Sequence, residues 1–437
     1  MLSSSRKLDR LQATFDHGGI VANAGLIVPV TLMVRLGLET LIDGWIRTGS
    51  ARPGRKVLTL VAAMLAGATH IDHVEMLRAG ATQRVLPFKV MAPSTIGSFL
   101  RSFTFGHVRQ LDAVLSRTLA RAWAAGAGPG DGPLVIDLDS TICEVHGKQK
   151  QAAGYGYTKR LGYHPLLATR AGTGEVLFAR MRRGSANTSR GISRFVDELV
   201  ANLKRAGTAG PMTVRADSGF WSWKLCDRLD THKIAWSITV RLHKTMKAAI
   251  AGIDEDAWQQ IDYTIGGQAE VAETTYTAGR GARSRTVRLV VRRTRLVEPA
   301  QRRLWPDWRH HAFITNRTDL DTIAADQFHR EHATVELAIR DLKEGAGLDH
   351  IPSGHYHANA AWLACAVLAH NLGAWTNLLS GQPPVTNRTR RTRLISLAAV
   401  IVNRSGRIFL RLPARWPWAE EFQRALSALR ALPAPSG

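Results

Sequence analysis

Apolar residues recur along this chain with two periods, and the changes between them divide it into regions. From about 20 to 125 nothing alternates. Runs such as LTLVAAMLAGATHIDHVEMLRAG and APSTIGSFLRSFTFGHVRQLDAVLSRTLARAW instead space apolar residues as amphipathic helices do, with Gly and Pro between them. Ser94 or Thr95, after Pro93, is the expected N-cap of the second run. AAGAGPGDGP, residues 124–133, concentrates chain breakers and reads as a linker. Beyond it LVIDLD, HPLLATR, EVLFARMR and MTVRAD are apolar runs of strand length, with the helical interval SRFVDELVANLKRAG before the last. Strands broken by a helix predict an α/β unit with a mixed sheet flanked by helices. From about 225 to 315, IAWSITVRL, AEVAETTYT, RTVRLVVRRTRL and HHAFITN alternate or are β-branched, and helix returns at Thr322. The most apolar stretch, AAWLACAVLAHNLGAWTNLL, carries His370 and Asn371 in its middle, which predicts a buried helix rather than a membrane span.

One predicted helix carries two stripes. In HREHATVELAIRDLKEG, about 100° per residue gathers Phe328, Val335, Ala338, Ile339 and Leu342 on one side as a core face. Beside them His329, His332, Glu336, Arg340 and Lys343 form an ionisable row with steps of three, four, four and three residues. A solvated edge with a Glu336–Arg340 pair would explain such a row at about 0.2–0.5 kcal/mol. A ligand-facing row would explain it too.

Composition moves the balance. The 437 residues carry 58 Lys+Arg against 35 Asp+Glu, a net charge of +23, so positive potential must cover wide areas and a polyanion is the expected partner. The basic residues run through the whole length, and those of the helical region, Arg78, Arg84, Lys89 and Arg101, are compatible with a helix-turn-helix. Three scattered cysteines, Cys143, Cys226 and Cys365, provide neither a disulfide framework nor a CxxC metal site, which fits a reducing cytoplasm. The opening MLSSSRKLDRLQATFDHGG carries acids and breaks before any long apolar run, so neither a secretory signal nor membrane association is expected.

Two acids stand where apolar runs end. LVIDLDST places Asp139 before Ser140 and Thr141, and MTVRADSGF places Asp217 before Ser218 and Gly219. Each could form a turn, but two carboxylates at the ends of buried strands repel one another unless a cation joins them. Magnesium takes oxygen ligands of this kind. With Glu336 as a third carboxylate, the blocks IDLDSTICEVHGKQKQAAGYGY, KRLGYHPLLATRAGTGEVLFARMRRGSANTSRG, VRADSGFW and HREHATVELAIRDLKEG resemble, in this order, the DDE transposases of bacterial insertion sequences, within the ribonuclease-H-like superfamily.

That resemblance spans about residues 134–375 and implies a set of expectations. Asp139, Asp217 and Glu336 would be catalytic and would hold two divalent ions, Mg2+ or Mn2+ in its place. The fold would be a ribonuclease-H-like α/β catalytic core with a β-rich insertion and an N-terminal all-α domain. Residues 1–128 would bind DNA ends, 129–224 and 316–380 would form the core, 225–315 the insertion, and 381–437 a basic region for dimer or DNA contact. Partners would be double-stranded DNA, both transposon ends and target, bound by a homodimer on paired ends near the nucleoid. The branch with the insertion carries a Tyr, Arg, Glu, Lys signature on the last helix. Glu336 and Lys343 match it, whereas His329 and His332 occupy the first two positions. These histidines, Arg330, Arg340 and Lys343 are the expected phosphate contacts, with Arg101 from the helical region. Asp137, two positions before Asp139 on the same strand face, is a rival ligand that the family position and the strand end disfavour. Trp305 and Trp308, among arginines in RRLWPDWRHH, form either a packing cluster or a platform for a flipped base. Two competing readings are a non-catalytic DNA-binding regulator with the same fold and a ribonuclease-H-like junction nuclease.

Overall fold

A computed structural model of the chain describes residues 8–156, 158–263, 267–279, 284–296 and 308–434. Among the described residues, nine strands from the middle of the chain share one sheet. The first five are β1 (Leu134–Ser140), β2 (Leu166–Arg170), β3 (Val176–Arg180), β4 (Met212–Ala216) and β5 (Ala235–Thr239). β1, β2 and β3 form an antiparallel meander, and β4 and β5 add in parallel on the other side of β1. Their spatial order is therefore 3-2-1-4-5, a ribonuclease-H-like mixed sheet. Parallel neighbours need crossovers, and two helices provide them. Ile192–Arg205 buries Ile192, Phe195, Val196, Leu199, Val200 and Leu203 along one side, and Trp223–Thr231 is capped by Ser222 Oγ, which accepts from the Leu225 N–H.

The β-rich stretch does not form a body of its own. β6 (Gln259–Ile261), β7 (Gly267–Ala278), β8 (Arg285–Leu296) and β9 (Arg309–Thr315) continue the same sheet, with β9 antiparallel to β5. The strand predicted from IAWSITVRL is β5, a parallel member of the five-stranded core. The added strands thus begin after Thr239, whereas the pattern of alternation had placed the boundary at 225.

The helices on either side of this sheet in sequence close over it together. Tyr356–Leu379 is buried along most of its length, and the two polar residues that interrupt its apolar run are bonded to backbone. His370 Nε2 donates to Gly174 O, and the Asn371 amide both accepts from Val176 N–H and donates to Val176 O. No single helix among the described residues is long and apolar enough to cross a membrane. The N-terminal helices Ile27–Arg35, Pro53–Leu65, Pro93–Arg101 and Phe105–Ala122 pack around Tyr356–Leu379 and share its hydrophobic core. Pro93 occupies the first turn of its helix and Ala92 the cap position, so Ser94 and Thr95 lie inside the helix and make no capping bond.

The expected linker at 124–133 begins as structure. Trp123 and Ala127 are buried in a helical turn, and the Trp123 indole donates to the fully buried Glu175, 2.8 Å away. Trp375 donates to the same carboxylate oxygen. Arg109, Asp112, Arg180 and Glu198 add an ion network between Phe105–Ala122, β3 and the first crossover helix. The C-terminal segment returns to the N-terminal one: Val21 pairs with Ala399 in a three-stranded sheet, and Arg391 donates to Leu65 O and Gly345 O.

Candidate active site

Parallel strands β1 and β4 end side by side, and the register pairs Asp137 with Arg215 and Leu138 with Ala216. The next residue on each strand is an acid, Asp139 at the end of β1 and Asp217 immediately after β4. Glu336 arrives from the helix Val335–Arg340. That helix is held over β1 because Val335, Ala338, Ile339 and the following Leu342 are buried. The core face read from the helical periodicity is thus the face that orients Glu336. Burial pushes the Asp139 carboxyl up to about 6, and the charges of Asp217 and Glu336 push it in the same direction, while the Ser140 N–H and His332 oppose them. Asp217 and Glu336 are thus both near enough to Asp139 for their charges to act on it. Asp139 and Glu336 open on a cleft of about 410 Å³ whose wall also includes Thr141, Arg340 and Lys343, and Asp217 lies outside its lining.

A second set of charges lies directly beneath, and only part of it was visible beforehand. Asp137 and Arg215 are each about 1% exposed and form a two-pronged pair, Nε–Oδ1 2.8 Å and Nη2–Oδ2 2.9 Å. Arg215 Nη1 also donates to Phe328 O and reaches Glu331, and His332 Nδ1 lies 2.8 Å from Asp137 Oδ1. Each strand member of this tier precedes a site acid by two residues, which on a strand means the same face one pleat further in. His332 precedes Glu336 by four, one helical turn. The tier ties both strands to the helix just below the triad. It also removes Asp137 from contention as a ligand, since both its oxygens are engaged. Arg215 was missed; its signal is an arginine inside an otherwise apolar strand at the same two-residue offset from an acid. His164 was missed as well. It is buried, contacts Ser140 Oγ through Nε2 at 2.9 Å, and lies near enough to Asp217 to feel its charge.

The remaining predicted contacts separate. Arg340 is exposed on the cleft, and Lys343 reaches it while donating to Ile142 O and lying 3.3 Å from Asp349. Arg330 is paired with Asp326 one turn back. His329 is corrected: it stacks on Phe313 with ring centroids 4.1 Å apart, bonds Ser237 and Thr239, and is held neutral by burial, which lowers its pKa to about 3. A neutral ring sealed against β5 and β9 offers nothing to a phosphate. His332 is likewise committed inward, to Asp137. Arg101 lies away from the triad on a separate cleft with His70 and His350. Trp308 packs against the guanidinium groups of Arg293 and Arg295, 4.7 and 4.6 Å from its ring centre, as a packing cluster would. Trp305 lies outside the described residues.

The donor types suit a hard divalent cation: three carboxylates and no sulfur. Like-charge crowding at Asp139 is relieved by such an ion. The side chains are not closed around one. Among the described residues no three His, Cys, Asp or Glu groups stand close enough to enclose a metal. Asp217 Oδ1 is turned back to accept the Gly219 N–H, and Asp139 Oδ1 accepts from Ser140.

A 3-2-1-4-5 sheet with helices on its faces places the chain in the ribonuclease-H-like class. The family model described as Transposase DDE domain group 1 matches residues 4–434, and the chain belongs to that family of transposases, whose members generally use divalent metal ions. No curated protein matches it. Among solved structures, the chain is similar to the piggyBac transposase in a cryo-EM synaptic complex with hairpin DNA, at 11% identity over 86% of this chain and 79% of that one, TM-score 0.47.

Proposed function

We propose that this chain is the transposase of a bacterial insertion sequence. It binds the terminal inverted repeats as a homodimer on paired ends in the cytoplasm, at the nucleoid, and cuts and joins DNA at the site formed by Asp139, Asp217 and Glu336. What supports the reading is that Asp139 and Asp217 stand at the ends of adjacent strands, and that Glu336, on a helix over β1, shares with Asp139 a cleft that presents Arg340 and Lys343. In it the acids are ligands for two Mg2+ ions rather than general bases. When bound, such ions activate a water or 3′-hydroxyl and stabilise the leaving oxygen of an in-line phosphodiester displacement. The chain itself supplies the frame. β1 and β4 fix the spacing of two ligands, the helix Val335–Arg340 brings the third, and the Asp137–Arg215–His332 tier keeps the three elements in register. Arg340 and Lys343 hold the phosphates on either side of the scissile bond.

The test is cleavage of DNA carrying the flanking terminal repeats by Asp139→Asn, Asp217→Asn and Glu336→Gln variants with Mg2+. Each is expected to lose cleavage while binding the same DNA within a few fold of the unmodified chain. Undiminished cleavage by Glu336→Ala would remove that residue from the site. Cleavage of branched junctions with no strand transfer would instead favour a junction nuclease.

A further inference from the structure

Between Asp349 and Glu420 the chain contains no acidic residue and eight arginines. Five of these lie outside the hairpin described next, some with internal partners: Arg390 is buried against Asn377 and Asn387, Arg391 bonds backbone, and Arg393 faces Glu421. The other three lie on the hairpin formed by Ala399–Arg404 and Arg407–Arg411. Its register pairs Ile401 with Leu410, Val402 with Phe409, Val400 with Arg411 and Arg404 with Arg407. Ile401 and Leu410 face inward, packing on Val21, Ala24 and Ala81. Pairs on either side of them point the other way. The outer face is consequently a strip of Val400, Val402 and Phe409 bordered by Arg404, Arg407 and Arg411.

This face is built against stability. Like charges directly opposite on paired strands are destabilising, and Arg404 opposes Arg407 at the turn, where Ser405 and Gly406 both have positive φ. None of the three arginines has a hydrogen-bond or ion-pair partner among the described residues. Phe409 and Val400 are exposed between them. The tip pair and Arg411 are four residues apart, or about 13 Å at ~3.3 Å per residue, close to the ~12 Å width of a major groove, which admits a two-stranded ribbon. A second copy of the chain is disfavoured as occupant, because arginines along an edge strand oppose strand pairing.

We infer that this hairpin is a duplex-DNA contact: Arg404, Arg407 and Arg411 bind backbone phosphates on the two sides of a groove, and the strip around Phe409 lies against the sugars between them. The contact reads charge and shape rather than sequence. It rests on the DNA-binding reading above and adds a binding element remote in sequence from the triad.

The experiment uses the full chain and a labelled duplex of about 30 base pairs and arbitrary sequence, with affinity measured by anisotropy over a range of NaCl concentrations. Log affinity falls with log salt by about 0.9 for each phosphate neutralised, so the triple variant Arg404→Ala/Arg407→Ala/Arg411→Ala is expected to lower that slope by about 2 to 3 and to bind at least ~10-fold more weakly at low salt. The triple Lys variant should restore most of the slope, and the melting temperature should not fall in either, since the replaced groups are exposed. An Ala variant with unchanged affinity and slope, while the unmodified chain binds, would overturn the hairpin contact alone. Loss of self-association with unchanged DNA affinity would overturn it in favour of a second copy. Failure of the unmodified chain to bind any duplex would overturn the DNA reading itself and this contact with it.

Discussion

Removing the buried arginine under the site should separate what holds the fold from what performs the reaction. Arg215→Met deletes a guanidinium that is about 1% exposed, with its two bonds to Asp137, its bond to Phe328 O and its contact with Glu331. Asp137 is left as a buried carboxylate with His332 as its remaining side-chain partner. Breaking a buried pair on one side costs about 3–5 kcal/mol, because the other charge stays desolvated. That is a large share of a typical total of about 5–15 kcal/mol. Taking away both charges is different. An apolar pair of similar volume is often neutral against a buried ion pair, so Asp137→Leu/Arg215→Met should recover at least half of the loss. The unpaired Phe328 carbonyl retains a cost of about 1–3 kcal/mol. Cleavage should not recover with stability, because the double variant still lacks the ties between β1, β4 and the helix that carries Glu336. Urea unfolding gives the stabilities, and Mg2+-dependent nicking of terminal DNA at saturating protein gives the rate. Two results would refute the reasoning: a loss below about 1 kcal/mol in Arg215→Met, or a double variant whose nicking rate returns together with its stability.

Other consequences can be checked in parallel. His329 has its pKa lowered to about 3 by burial, so below its unfolded value near 6.5 the unfolded chain binds a proton that the folded one refuses; stability from this residue is present above pH ~6.5 and lost by about 1.4 kcal/mol per unit as pH falls. Urea midpoints at pH 7.5 and 5 should therefore differ less in His329→Gln than in the unmodified chain, and equal differences would contradict a buried neutral histidine. Glu175→Leu strands the indole N–H groups of Trp123 and Trp375 in the core and should cost about 1–3 kcal/mol for each unsatisfied donor, read as a fall in melting temperature. Because the N-terminal helices share that core, a fragment of residues 1–128 should show little cooperative unfolding, and a sharp transition would mean that it is a free-standing domain. Trp308→Ala should lower the melting temperature through the lost contacts with Arg293 and Arg295 and slow nicking and double-strand release equally; selective loss of release would instead assign it to a flipped base.

The strands were legible because burial on a sheet leaves short apolar runs, and each of the four runs read as strands between 134 and 217 became one to within two residues at either end. Pairing partners were not legible. Alternation in IAWSITVRL says that a strand forms but not that it hydrogen-bonds to β4, and so β5 was assigned to the added strands rather than to the core. The Gly/Pro run at 124–133 marks turns correctly, with Gly126 and Gly130 at positive φ. What it conceals is that Trp123 meets Glu175, more than fifty residues away. Composition reports local backbone freedom, whereas domain separation depends on contacts that local composition does not encode.

The same limit explains the split fate of the ionisable row. A uniform helix at about 100° per residue puts His329, His332, Glu336 and Lys343 on one face. The chain instead passes through a 3₁₀ turn at Glu331–Thr334 between the helices Thr322–Arg330 and Val335–Arg340. Four residues at about 120° rather than 100° rotate everything before them by about 80° relative to Glu336. His329 therefore turns away from the cleft into the sheet, between Phe313 and the hydroxyls of Ser237 and Thr239. His332, inside the turn, points down to Asp137, while Glu336 and Lys343 keep the cleft. A histidine at each of these two positions then follows from packing: an imidazole is small enough to stack on Phe313 while bonding two hydroxyls, and one ring nitrogen is enough to complete the Asp137 carboxylate that Arg215 leaves partly open. The residues that depart from the signature are those that the local rotation withdraws from the cleft, and the two that match it are those that it leaves facing the cleft.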